Sequence, residues 1–212
     1  MLADLDMALV VRKVGRVEYA ASLTEMRKFT AERTEETPDE LWVLEHPAVY
    51  TLGLAADAVH APKGDTGIPV VRVERGGEVT YHGPGQVVIY TLVDIGRLGI
   101  KVREFVHLLE QCVIELLAAY GVTAARKPGA PGVYVGGAKV AALGIRVTRG
   151  RTLHGLALNV DMELAPFGAI NPCGYPGLAV TQTRDLGIAA GTDDLGIELA
   201  RRIARQLEQH HA

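Results

Sequence analysis

The chain predicts an α+β fold, a mixed and mainly antiparallel sheet flanked by helices. Three features lead there. Residues 102–120 repeat apolar side chains at helical spacing, with Phe105, Leu108, Leu109, Val113, Leu116 and Leu117 on one face and Gly121 as the stop. Residues 133–135, 139–148 and 152–160 are apolar runs of strand length, separated by Gly136-Gly137 and Arg149-Gly150, which are hairpin signals. Strands and helices do not alternate regularly, so a doubly wound parallel sheet is not expected. The helices are expected on one face of the sheet.

The remaining elements follow in order. Residues 8–14 read as a first strand ended by Gly15, and residues 18–34 as a surface helix with Ala21, Met26 and Phe29 inward. Residues 41–45 form a strand that ends at His46-Pro47, where the proline keeps the preceding backbone extended. Residues 49–52 run into Gly53, and residues 53–67 lack periodicity and predict a mobile loop. Residues 68–73 suit an edge strand, because Pro69 has no backbone donor. Residues 87–93 are almost continuously apolar, as a central strand is. After a short turn at 165–167, residues 195–207 form a last amphipathic helix, open to packing as a small C-terminal lobe. No linker divides the 212 residues, so a single domain over 1–212 is expected.

Apolar residues make up 48% of the chain and aromatics only 5%, so the core is expected to be aliphatic. The net charge is −3 and no long basic run occurs, which argues against nucleic-acid binding, where phosphate neutralisation supplies most of the affinity. No apolar run reaches membrane-spanning length, and the acidic start, Asp4 and Asp6, is unlike a signal peptide. Two cysteines, Cys112 and Cys173, are too few for a disulfide framework. A soluble cytoplasmic protein is expected. Cys112 sits beside the apolar face of its helix and reads as packing.

The two cysteines differ in setting. Cys173 lies in Asn171-Pro172-Cys173-Gly174-Tyr175-Pro176-Gly177, where prolines and glycines preclude a helix or a central strand. Such a loop can present a thiol as a nucleophile or bury it as a small hydrophobe. Residues 75–86, Arg-Gly-Gly-Glu-Val-Thr-Tyr-His-Gly-Pro-Gly-Gln, open a strand rather than a helix and lack the lysine of a phosphate loop. They suit the wall of a small-molecule pocket. Lys139 begins an apolar strand, either as a solvated edge residue or as an amine that lowers a neighbouring thiol's pKa. His82 and His154 compete with it as the thiol's partner. No metal-ligand spacing is present, and neither a metal nor another cofactor is expected.

Five motifs then occur together and in order: residues 75–86, Gly-Ala-Pro-Gly-Val-Tyr-Val at 129–135, Ala-Lys-Val-Ala-Ala-Leu-Gly-Ile-Arg at 138–146, His-Gly-Leu-Ala-Leu-Asn-Val at 154–160 and Asn-Pro-Cys-Gly at 171–174. Over about residues 40–185 the chain resembles the lipoyl(octanoyl) transferase family. The resemblance implies a biotin/lipoate protein ligase-like fold. It implies transfer of an octanoyl group from octanoyl-acyl carrier protein to a lysine of lipoyl domains, those of 2-oxoacid dehydrogenases and the glycine cleavage H protein. Cys173 would carry the acyl group as a thioester, with Lys139 lowering the thiol pKa and acting as acid and base. The substrate-contacting segments would be Arg75, Gly76, Gly77, Glu78, Val79, Thr80, Tyr81 and His82; Ala142, Leu143 and Gly144; and Gly155, Leu156 and Ala157. The last two segments suit an apolar tunnel, where the octanoyl tail would contribute about 5 kcal/mol before ordering costs. An acidic carrier calls for a local basic face, for which Arg146, Arg149, Arg151, Arg126 and Lys127 are candidates. The rival on the same fold is an ATP-dependent lipoate or biotin ligase, which needs an adenylate site and no cysteine.

Overall fold

The computed structural model describes residues 9–57, 61–171 and 177–210. Strand β1 (Val10–Arg16) leads into helix α1 (Tyr19–Glu32), followed by β2 (Glu40–Glu45), β3 (Val49–Leu52), β4 (Val70–Arg72), β5 (Val79–His82) and β6 (Gln86–Leu92). Helix α2 (Val102–Ala119) precedes β7 (Val133–Val135), β8 (Ala138–Thr148) and β9 (Arg151–Asn159). Two 3₁₀ turns, Ala165–Ala169 and Arg184–Leu186, lead to α3 (Thr192–Glu208).

The main sheet has the order β1-β2-β6-β9-β8-β7, parallel only between β1 and β2. The expected meander of the last three strands is present, with both hairpins. Alternation along the central strands divides the core in two. Leu41, Val43, Val87, Ile89, Leu156 and Leu158 face α2 and α3, where Phe105, Leu109, Leu195 and Leu199 meet them. Trp42, Leu44, Val88, Tyr90 and Ala157 face the other way, against Tyr19, Leu23 and Met26 of α1.

Helices therefore cover both faces, not one. The cause is visible in β2, whose Leu41-Trp42-Val43-Leu44 are all buried, so that neither side of the strand can face water. The last helix is not a separate lobe either; α3 packs beside α2 in the main core. Cys112, in α2, is buried in that same core, and burial pushes its thiol up to about 12. It is packing, as expected.

A second, three-stranded sheet, β4-β3-β5, was not expected. Its strand β5 runs through the glycine-rich stretch and pairs antiparallel with β3. The residues after β3 are tied to the same stretch, with Gly53, Leu54 and Ala55 donating backbone hydrogen bonds to Glu78, Arg75 and Gly77 carbonyls. Behind this small sheet Tyr50, Leu52 and Tyr81 pack on Phe167 and Ile170. Strand β1 also passes through Gly15 rather than ending there, taking up the glycine's φ of 82° as a bulge in its pairing with β2.

Candidate active site

A cleft of about 510 Å³, counting its mouth, opens on the α1 side of the main sheet. This volume is within the range of small-molecule sites. Its floor is the β8–β9 ladder, where Ala142 pairs with Ala157, Leu143 with Leu156 and Gly144 with Gly155. The small side chains keep the floor low, and Gly155 also lets β9 lie close against β6: a Cβ there would stand 2.0 Å from the Ile89 carbonyl oxygen. The opposite wall is Arg75, Gly77, Glu78, Val79, Thr80 and His82, with Tyr19 of α1. The three segments singled out by the motifs thus meet around one cleft, although two of their members do not line it. Tyr81 turns into the core behind the small sheet, 5.4 Å between ring centroids from Phe167. Gly76 is set by its backbone instead, donating to the Ile145 carbonyl at 3.0 Å and so docking the wall on β8.

Arg75 is the brace of that wall. Its guanidinium donates to Thr51 Oγ1, to the Thr51 carbonyl at 2.7 Å and to the Gly76 carbonyl at 2.9 Å. Deeper in, His82 Nδ1 lies 2.7 Å from Gln86 Oε1. An amide oxygen only accepts, so Nδ1 carries the proton. Gln86 Nε2 donates in turn to Asn159 Oδ1 at 2.9 Å, and Asn159 Nδ2 donates to the Thr181 carbonyl. His46 is fixed the same way, donating from Nδ1 to the Val17 carbonyl and accepting at Nε2 from the Tyr90 hydroxyl, both at 2.7 Å. Burial holds His82 down at about 3 and His46 at about 4, so both are neutral at neutral pH.

Lys139 is only 3% exposed, although it begins a strand. Its Nζ donates to the Pro131 carbonyl at 3.1 Å and lies 5.2 Å from the centre of the Tyr134 ring. Gly132 makes room for it, with φ of 141° and a virtual Cβ that would approach Lys139 Cε to 3.0 Å. The turn that supplies Pro131 is held from α2, where buried Glu110 accepts from the Gly132 amide and from Arg126 Nε. The Lys139 backbone forms a parallel bridge to Val180: its amide donates to the Ala179 carbonyl, and the Thr181 amide donates to its own carbonyl. This segment takes the place beside β8 that β9 vacates after Asn159. Cys173 lies outside the described residues.

The cleft is lined mostly by small and apolar side chains, with the imidazoles of His82 and His154 in its wall, a lining suited to an apolar small molecule. Among the described residues no group of three or more His, Cys, Asp or Glu side chains is placed to hold a metal ion. No described helix is long and apolar enough to cross a membrane.

Residues 18–199 match the family model of the lipoyl protein ligase A/B catalytic domain. The octanoyltransferase of Thiobacillus denitrificans (strain ATCC 25259 / T1) is 62% identical over 183 residues, 86% of this chain and 84% of that protein. The chain belongs to this family. The octanoyltransferase of Dechloromonas aromatica (strain RCB) is 58% identical over 200 residues, 94% of this chain and 97% of that protein. Membership in the octanoyltransferases makes the protein an acyltransferase. A crystal structure of lipoate-protein ligase A bound with ATP superposes with a TM-score of 0.76 at 15% identity, over 95% of this chain and 85% of that one. The expected biotin/lipoate ligase-like fold is therefore present.

Sequence reasoning counted Gln86 only as the last polar group of the 75–86 stretch, and passed over Asn159 and Glu110 as site residues. The first two carried a readable signal, an amide closing a glycine turn and an amide inside the apolar run 156–160. Glu110 had none, since one carboxylate beside the apolar face of a helix is ordinary.

Proposed function

We propose that the protein transfers an octanoyl group from octanoyl-acyl carrier protein to a lysine of lipoyl domains, through a thioester on Cys173. The acceptors are the lipoyl domains of 2-oxoacid dehydrogenases and the glycine cleavage H protein, and the setting is the cytoplasm. The observation that carries this reading is the buried Lys139 amine on β8, the strand whose Ala142 to Gly144 line the apolar cleft, bridged through its backbone to the segment six positions beyond Cys173 (179 − 173).

The chemistry follows from the donor. Lys139 takes the proton of the Cys173 thiol, and the thiolate attacks the carbonyl carbon of the carrier's thioester. The carrier's carbon–sulfur bond breaks and its sulfur leaves with the proton from Lys139. One thioester replaces another, so the step is nearly thermoneutral and needs no ATP. The acceptor amine then attacks the Cys173 thioester, passes its proton to Lys139, and the more stable amide forms as Cys173 leaves. Covalent catalysis divides one hard step into two easier ones. In this reading the cleft residues Arg75, Gly77 to Thr80, His82, Ala142 to Gly144 and Gly155 to Ala157 enclose the acyl chain, with Gly76 and Tyr81 supporting the wall.

Intact-protein mass after incubation with octanoyl-acyl carrier protein tests the covalent step. The native chain should gain one octanoyl group and Cys173→Ser none. A Cys173→Ser protein that still modifies lipoyl domains from free acid and ATP would favour the ligase reading instead. Lys139→Met should keep the fold and lower kcat by about a hundredfold or more, as loss of a general base does.

A further inference from the structure

One carboxylate lies in the helical core. Glu110 is 3% exposed, and its neighbours on α2, Leu109 and Val113, are fully buried. A buried carboxylate is costly unless its charge is paired and both oxygens are hydrogen-bonded. Here both are used. Oε2 accepts from Arg126 Nε at 3.0 Å, and Oε1 accepts from the Gly132 amide at 2.9 Å.

The Gly132 amide is one half of a peptide group whose other half is the Pro131 carbonyl. No described peptide bond is cis, so the N–H and the C=O of that group point in opposite directions. Glu110 holds the N–H, and the carbonyl accepts from Lys139 Nζ at 3.1 Å. A carboxylate, one peptide plane and the amine thus form a series. Hydrogen bonds in series polarise one another, so a carboxylate on the N–H makes the carbonyl a stronger acceptor. The charge of Glu110 reaches the Lys139 amine through that plane.

The turn leaves the amine little play. Gly132 has φ of 141°, and a Cβ there would stand 2.8 Å from the Ala141 carbonyl oxygen and 3.0 Å from Lys139 Cε. The Tyr134 ring, 5.2 Å from Nζ at its centre, ties the same turn through its hydroxyl, which donates to the Ala130 carbonyl at 2.9 Å. Arg126 completes the arrangement. Besides Glu110, its guanidinium donates to the His107 carbonyl at 2.9 Å and to Gln111 Oε1 at 2.8 Å, both on α2. These bonds turn it toward α2 rather than outward to an acidic carrier.

We propose that Glu110, with Arg126 as its counter-charge, is a positioning residue for the acyl transfer, fixing the Lys139 amine through the Pro131–Gly132 peptide. The inference rests on the acyl-transfer reading above, in which Lys139 moves the protons. An amine on a four-carbon stem must be held where it can take and return a proton, because small misplacements of reacting groups are costly.

The test measures octanoyl transfer from octanoyl-acyl carrier protein to a lipoyl domain. It uses Glu110→Gln, whose amide oxygen can still accept from Gly132, and Arg126→Met, each alone and combined with Lys139→Met. Each single substitution should lower kcat by about tenfold and leave KM for the carrier within about twofold. In Glu110→Gln the acidic limb of the kcat/KM profile should move to lower pH by about half a unit or more, because an ammonium that loses a nearby negative charge gives up its proton sooner. In the Lys139→Met background neither substitution should slow the residual rate further, since residues that act through one group are not additive. A rise in KM at unchanged kcat, removed by salt, would make Arg126 a carrier contact and overturn the proposal. So would an unmoved acidic limb in a folded Glu110→Gln, or a further loss of rate in the Lys139→Met background, which is what a merely structural role gives. Should Glu110→Gln fail to fold, Arg126→Met decides by its kcat and KM and by its effect in the Lys139→Met background. A native protein that transfers no octanoyl group, or a Lys139→Met protein as fast as the native one, overturns the acyl-transfer reading itself, and this inference with it.

Discussion

His46, His82 and His154 sit close together under Tyr19 and Tyr90, with 5.9 Å between the His46 and His82 ring centroids and 5.0 Å between Tyr19 and His46. Burial is the largest cause of the depressed pKa at all three, about 4, 3 and 4 in turn against an ordinary 6.5. The unfolded chain therefore binds protons first as pH falls below about 6.5, and the folded chain resists them. Their stabilising contribution is complete above pH 6.5 and is lost as pH falls toward the folded values. Each histidine contributes a slope of up to about 1.4 kcal/mol per pH unit in that window. Thermal melts at pH 7.5, 6.0 and 5.0 should give a Tm that drops steadily; a flat profile would contradict this account. The upper part of the window, between about pH 6.5 and 5, lies above the carboxylate range, so the melts sample it before ordinary acid unfolding sets in.

At the scale of elements, the β6–β9–β8 ladder is the platform on which everything else stands. Gly155 is its tightest point. Gly155→Ala would drive a methyl group into the Ile89 carbonyl and push β9 away from β6, costing about 1–3 kcal/mol or more. A urea titration should show the fall in midpoint, and kcat/KM should fall with it because the cleft floor shifts. This platform and α2 were legible in the sequence, because both have strong local signals, hairpin glycines in one and a long apolar stripe in the other. The small sheet was not. Its strand β5 pairs with β3 some thirty positions away, and its framing glycines look like those of a loop. The side taken by α1 was equally hidden, since an unbroken apolar strand tells that both faces are covered but not by which element. Around the cleft, the lining segments were legible as motifs. The orientation of His154 was not, because no glycine marks its left-handed backbone.

For the whole molecule, the sheet sorts the basic residues by distance from Lys139. Strand β8 runs nine positions from Lys139 to Thr148 (148 − 139), about 30 Å. The hairpin bearing Arg149 and Arg151 is thus at the remote end, and Arg151 is already engaged with Asp94 at 3.3 Å. Lys127 lies exposed in the turn that also supplies Pro131 to the Lys139 amine. Of the basic candidates for contact with an acidic carrier, those of the hairpin are placed least well. Lys127→Glu should raise KM for the carrier several-fold at low salt, with the effect fading as salt rises. Paired reversal of Arg149 and Arg151 should leave KM unchanged in the same assay.

Under the proposed reaction, the bridge between Lys139 and Val180 makes the number of residues separating Cys173 from that bridge a quantity that should matter. The stretch that runs on from Cys173 is stapled, a few residues later, to the very backbone that carries the amine. One extra glycine inserted between Gly177 and Leu178 should leave the melting temperature almost untouched. It should still slow transfer by about tenfold or more, since small misplacements of reacting groups are costly.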